Sequence, residues 1–289
     1  MNNYIICTDS ACDIPSELLA AWGVPCRQLT FRFQEDAQEY TGLTMDIKSF
    51  YDKMRAGGIA KTAAVNTEAF SEMFEELLSI GKDVLYLGFS SGLSATYNCA
   101  RIAADELREK YPDRKILTVD SLAASAGFGL LLYLTLEEQK KGATIEEAAA
   151  FAEATKLRIC HWFTVDDLEY LRRGGRVSAA TKVVGNLLRI KPILHVDNAG
   201  HLIKVGLAQG RRKSLEVIAD KFGEMADQVP EQATIYISHG DCLADAELVA
   251  SLIKEKWHGN VQLITHVGSV IGAHSGPGTI ALFFVGKER

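Results

Sequence analysis

The feature that most constrains this chain is the order of its apolar runs over the first half. Tyr4–Thr8, Asp83–Phe89 and Lys115–Asp120 are short strand-like runs, and each leads into a polar loop followed by a helical pattern. Pro15 opens a short helix, where a missing N–H costs nothing. Asp46 caps a second helix, which Gly57 and Gly58 end, and Thr67 with Glu68 begins a third, closed by Gly81. Long helices run to Tyr111 and to Gly142, and Thr144 with Glu147 forms a capping box for the next. Strands alternating with helices of this length predict a mainly parallel sheet covered on both faces, a three-layer α/β/α domain. Ligands of such sheets bind at the carboxyl ends of the strands. The loops there carry Thr8-Asp9-Ser10, Ser90-Ser91-Gly92 and Asp120-Ser121.

Beyond residue 156 the pattern changes. Ile190–Val196 and His201–Val205 flank Asp197-Asn198-Ala199-Gly200, a hairpin turn signal. Thr234–Ser238 and Val261–Thr265 read as further strands around a helix from Leu243 to Trp257. Hairpin plus helices predicts an α+β domain with a mixed sheet. The expected domains are 1–156 and 157–289, and a length of 289 residues with 47% hydrophobic content supports two cores.

Charge and composition narrow the function classes. Lys and Arg number 31 against 37 Asp and Glu, a net −6 with no extended basic run, so no nucleic-acid partner is expected. The first residues show no basic segment leading into a long apolar one, and the apolar stretch Gly127–Leu134 is too short to span a bilayer. A cytoplasmic protein without stable membrane insertion is expected. Cys7, Cys12, Cys26, Cys99, Cys160 and Cys242 include no C-x-x-C pair, which points to reduced structural thiols and offers no zinc site.

The motifs point away from nucleotide chemistry. Neither G-x-x-x-x-G-K-[ST] nor G-x-G-x-x-G after a strand occurs. Ser90-Ser91-Gly92-Leu93-Ser94-Ala95-Thr96 lies between a strand and a helix, where free N–H groups and the helix dipole favour an anion. The same residues also suit an ordinary helix cap. A Ser nucleophile there lacks the G-x-S-x-G elbow. Arg172 and Arg173 before Gly174-Gly175 fit a helix C-terminus, but Arg176 lies beyond that cap. His274 stands in a Gly- and Pro-containing stretch read as a loop, a place where polar side chains meet solvent or ligand. His161, His195, His201, His239, His258 and His266 are scattered and read as structural or surface residues.

Taken in order, these pieces resemble the DegV family of bacterial lipid-binding proteins. The resemblance runs over the whole chain. It rests on Thr8-Asp9-Ser10 with Asp13, Lys61-Thr62, Ser90-Ser91-Gly92-Leu93-Ser94-x-Thr96-Tyr97 and Val119-Asp120-Ser121. It continues through Leu168-x-Tyr170-Leu171-x-x-Gly174-Gly175-Arg176, Leu187-Leu188-x-Ile190-Lys191-Pro192 and Gly276-Pro277-Gly278. It implies two α/β domains with a long-chain fatty acid held between them as ligand, and no other cofactor or metal. Members resemble the acid-binding subunit of bacterial fatty acid kinase, which presents a carboxylate to a separate ATP-binding subunit and is not an enzyme alone. By that resemblance Thr62 and Ser91 bond the carboxylate, Gly92 belongs to the same loop, and His274 lies close and supports transfer. Arg176, Arg211 and Arg212 are candidates for contact with the kinase. The chain departs from the family pattern at Ala60-Lys61-Thr62-Ala63-Ala64-Val65, at Ala95, and at Gln209, which stands where the family has an arginine. The competing readings are a hydrolase or transferase using Ser91 with His274, and a fatty-acid-sensing regulator.

Overall fold

The computed structural model describes residues 3–177 and 190–289. Leu187 and Leu188 of the motif above lie outside the described residues.

The first half runs β1 (Tyr4–Asp9), α1 (Ser16–Trp22), β2 (Cys26–Arg27), β3 (Thr30–Phe33), α2 (Ile47–Arg55) and β4 (Ala60–Ala63). It continues with α3 (Thr67–Ser79), β5 (Asp83–Gly88), α4 (Thr96–Lys110), β6 (Ile116–Asp120), α5 (Ser125–Lys140) and α6 (Ile145–Thr155). Strands β2, β1, β5 and β6 form a parallel sheet in that order, as the strand–helix alternation predicts. The caps follow sequence chemistry. Asp46 accepts from the Ser49 N–H, and Thr144 with Glu147 closes both bonds of its capping box. Helix α5 is apolar almost all round. It is buried between α6 and the turn after β1 on one side and the second sheet on the other.

The second half holds β7 (Ile159–Thr164), α7 (Glu169–Gly174), β8 (Ile190–Val196), β9 (Leu202–Gln209) and α8 (Arg211–Met225). Then come β10 (Ile235–His239), α9 (Leu243–Trp257), β11 (Val261–His266), α10 (Ser269–Ser275) and β12 (Ile280–Val285). The sheet order is β11-β10-β12-β7-β8-β9, with β10 and β11 parallel and the other pairs antiparallel. This is the expected mixed sheet, with β8 and β9 as the expected hairpin. Two of its strands, β7 and β12, were not anticipated. Both are buried at every position. We propose residue 156 as the domain boundary, at the single turn of 3-10 helix between α6 and β7. One apolar core crosses it, joining Phe128 and Leu131 of α5 to Phe163 of β7 and Phe283 of β12.

A third unit was also not foreseen. Strands β3 and β4 pair antiparallel and pack with α2 around Phe31, Phe33, Phe50, Tyr51 and Met54. This small layer comes early in the chain but docks on α10. Ala273 enters its core, and the Tyr51 hydroxyl donates to the Val267 carbonyl at 2.7 Å. It thereby carries β4, and Thr62 on it, to the second domain.

Candidate functional site

A cavity lies among β4, the loop after β5, the start of α5, the second sheet and α10. The space open to the centre of a water molecule is about 210 Å³. One water needs only ~10–15 Å³ by that measure. Most of the wall is apolar, with Leu29, Phe89, Phe163, Val196, Val270 and Phe283 among its residues. A second, more open cleft of about 520 Å³ abuts it and is lined by Lys61, Tyr170, Arg173 and Arg176. Thr62, Arg176 and His274 line both, so they stand at the junction of the greasy space and the cationic one.

Thr62 Oγ1 and His274 Nε2 are 2.8 Å apart, although 212 residues separate them in sequence. His274 lies in the last turn of α10 rather than in a loop as read above; the helix persists to Ser275 and ends where Gly276 leaves it. Gly276 has φ +82°, and a Cβ there would meet the Tyr170 ring at 2.4 Å, so Gly276-Pro277-Gly278 is a packing motif against α7. Gly174 plays a matching part for the imidazole: a Cβ on it would lie 2.2 Å from His274 Nδ1. Burial, then the nearby Arg176 guanidinium, pulls the His274 pKa down to about 4, so the ring is neutral at pH 7. Its Nδ1 is buried without a hydrogen-bond partner. Arg176 itself is exposed and donates from Nε to the Leu93 carbonyl at 3.3 Å, tying the end of α7 to the loop before α4.

The serine loop is arranged differently from expectation. Ser91 is exposed, is not part of the cavity wall, and donates its backbone N–H to Asp120 Oδ1 at 3.2 Å. Gly92 faces the hairpin turn of the second sheet, where a Cβ would lie 2.7 Å from the Ala199 carbonyl oxygen. Its lack of a side chain lets that turn dock. Ser90 completes the contact by donating to the Gly200 carbonyl at 3.0 Å. The serine that does line the cavity is Ser94, whose Oγ meets Thr96 Oγ1 at 2.9 Å. Sequence reasoning passed over it. Its place immediately before the first turn of α4, where free N–H groups gather, was the available signal.

Of the other candidates, Arg211 and Arg212 are not in the walls of either cleft. Arg211 donates from Nε to Asp245 Oδ2 at 2.9 Å and lies 3.6 Å from Asp166; Arg212 pairs with Glu216 at 3.2 Å. His161 lines the cavity but is committed to the backbone. Its Nδ1 donates to the Ile159 carbonyl at 2.8 Å and its Nε2 accepts from the Ala124 N–H at 3.4 Å. Burial, foremost, holds it neutral. Beside it, Ser125 Oγ donates to Asp13 Oδ2 at 2.5 Å and meets Ser238 Oγ at 2.9 Å. The six cysteines are free thiols, and no cluster of three metal-ligating side chains occurs among the described residues. No described helix is long and apolar enough to cross a membrane.

Known proteins share this architecture. A DegV domain-containing protein of Clostridium perfringens is 42% identical over 100% of this chain and 99% of its own. A DegV lipid-binding protein of Thermotoga maritima superposes with a TM-score of 0.86 at 29% identity, covering 100% of both chains. A DegV family protein of Thermus thermophilus, described as binding fatty acid, superposes with a TM-score of 0.88 at 27% identity over 98% of this chain and 99% of that one. The model of the DegV family, whose description is that of an uncharacterised protein, matches residues 4–287, and the chain belongs to that family.

Proposed function

We propose that this protein binds a long-chain fatty acid in the apolar cavity, with its carboxylate at Thr62, Ser94 and His274. The observation that carries this reading is the closure of a mostly apolar cavity by a hydroxyl–imidazole pair of neutral charge. A buried carboxylate needs donors. With the proton on Nε2, the imidazole donates to Thr62 Oγ1, and the Thr62 hydroxyl proton is free to point at a carboxylate oxygen. Ser94, just before α4, adds a second hydroxyl, whose oxygen also accepts from the Thr96 N–H at 3.2 Å. Burying roughly fifteen methylenes at ~0.8 kcal/mol each gains on the order of 12 kcal/mol, against association costs of ~4–15 kcal/mol. Neutral hydroxyls bond the carboxylate directly, while the Arg176 guanidinium stands at the junction of the two spaces.

The finer part of the proposal is that the acid is presented to a separate kinase that supplies ATP and metal. The sequence contains no phosphate loop of its own. In support, the cleft on the far side of Thr62 and His274 is lined by Lys61, Arg173 and Arg176, cations suited to an approaching phosphoryl group. Arg211 and Arg212, being ion-paired, contribute less free charge than Arg176. A Ser91–His274 nucleophile pair gains no support, because the hydroxyl that meets His274 is that of Thr62.

Native mass spectrometry of the purified protein, with titration by a fluorescent fatty acid, tests the binding. A co-purifying fatty acid mass and saturable binding are expected; no saturable binding by the folded protein would refute the reading. Reconstitution with a fatty acid kinase subunit tests presentation. His274→Ala should leave affinity within about tenfold and reduce acyl phosphate formation much further.

A further inference from the structure

Strand β4 is the end of its sheet. It pairs on one side with β3, and β3 pairs on its far side with Tyr40. The hydrogen bonds fix which backbone groups are spent. The Phe31 N–H donates to the Tyr40 carbonyl at 2.8 Å, and the Tyr40 N–H donates to the Phe31 carbonyl at 2.7 Å. Phe31 is the register partner of Thr62, so this pair exchanges no bond across the β3–β4 ladder. The Gln34 N–H donates to the Ile59 carbonyl at 2.9 Å, which continues the same alternation. Lys61 and Ala63 therefore bond β3, whereas the backbone N–H and C=O of Ala60 and Thr62 point away from it. Those groups meet no partner among the described residues.

This open edge faces the clefts. Successive side chains of a strand leave it on opposite faces. Lys61 and Thr62 nevertheless both line the cationic cleft, and Thr62, Ala63 and Ala64 all line the apolar cavity. A space touched from both faces of a strand lies along its edge, and β3 occupies the other edge. An unpaired edge is a template for another strand. Charge selects which strand. Lys61 and its register partner Arg32 are exposed and form no ion pair among the described residues, in a chain of net charge −6. Register partners project from one face with their Cβ atoms about 5 Å apart. Lysine on an edge repels another basic strand, and the same charges attract an acidic one. We propose that β4 is a docking edge for a partner protein, which adds an extended acidic segment as a further strand. The segment bonds the backbone of Ala60 and Thr62 and sets its carboxylates against Lys61 and Arg32. The added strand runs past Thr62, so the partner reaches the junction where Thr62 meets His274. The inference stands apart from the identity of the ligand in the apolar cavity.

The probe is a fluorescent hexapeptide alternating glutamate and valine, titrated by anisotropy into the full chain. Saturable binding is expected, with isotope-labelled peptide carbonyls taking on the infrared amide band of a paired strand. Glutamine in place of the peptide's glutamates should weaken binding by roughly tenfold. Methylating every backbone nitrogen of the peptide should abolish it. Ala60→Pro removes an outward N–H without touching the β3 ladder and should weaken the peptide by roughly three- to tenfold. Urea denaturation checks that this variant is folded; where it is not, the methylated peptide on the wild type decides. No saturable binding to the wild type overturns the inference. Equal binding of the methylated peptide leaves charge attraction alone and overturns it too, as does an affinity indifferent to glutamine.

Discussion

Two polar clusters border the same cavity, and they are satisfied in opposite ways. At Asp13, Ser125 and Ser238 the protein supplies every partner: Ser125 bonds both neighbours, Gly268 donates its N–H to Asp13, and Thr265 Oγ1 donates to the Asp13 carbonyl at 3.2 Å. These contacts join the turn after β1 to α5, β10 and the entry of α10, so the cluster fastens one domain to the other. At Thr62 and His274 a single bond of 2.8 Å is made, the Thr62 hydroxyl proton is left over, and the wall continues into an open cleft. Polar groups that the fold satisfies stabilise the fold, whereas polar groups left short of partners hold their hydrogen-bonding capacity for something that arrives. Loss of the first cluster should therefore appear in stability, and loss of the second in affinity.

The largest expected effect is on the pH dependence of stability. Burial, foremost, raises the Asp13 pKa from 3.8 to about 7. A carboxyl whose folded pKa is raised contributes its stability fully below 3.8 and loses it as pH rises towards 7. That gap converts to at most roughly 4 kcal/mol. Asp13→Asn should flatten the fall in unfolding free energy between pH 4 and 8, read by urea denaturation across that pH range. An unchanged slope would mean that the cluster does not clamp the domains through this carboxyl.

Next comes the carboxylate end. Thr62→Val combined with Ser94→Ala should weaken fatty acid binding by ~2–4 kcal/mol while changing unfolding free energy by less than ~1 kcal/mol. Fluorescent titration and denaturation on the same preparations measure both. A large stability loss at unchanged affinity would invert the comparison between the clusters.

The smallest effect has the opposite pH sign from that of Asp13. His274 is held neutral, its pKa lowered from 6.5 to about 4. Its contribution is present above 6.5 and is lost as pH falls from there towards 4. At pH 5, His274→Gln should therefore raise stability relative to wild type by about 2 kcal/mol, with no such gain at pH 8. Saturating fatty acid should shrink the gain, because a carboxylate beside the ring favours the imidazolium. A gain unaltered by fatty acid would show that His274 does not sense the ligand.

Legibility differed from one part of the molecule to another. The parallel sheet, the capping box at Thr144 and Glu147 and the hairpin at Asp197–Gly200 were readable because turn chemistry, caps and apolar runs are local. The resemblance to the DegV family was readable from ordered motifs and is matched over residues 4–287. Strands β7 and β12 were passed over, although they are as fully buried as β10, which was read from its apolar run. The layer of β3, β4 and α2 escaped because its core is closed by Ala273, more than 200 residues away in sequence. Ser94 escaped because three serines stand within five residues, and nothing local says which one faces a cavity.

By itself, then, the sequence determined the succession of elements, the fold class and the loops near which chemistry gathers, because backbone propensity and hydrophobic period act over a few residues. Which side chains meet was decided only by tertiary structure. Thr62 reaches His274 because β4 is packed onto α10 by Tyr51 and its neighbours. Ser91 is turned away because the Ala199–Gly200 turn docks on Gly92 and Ser90. Such contacts depend on distances set by packing between elements far apart in the chain, and no local pattern of residues encodes them.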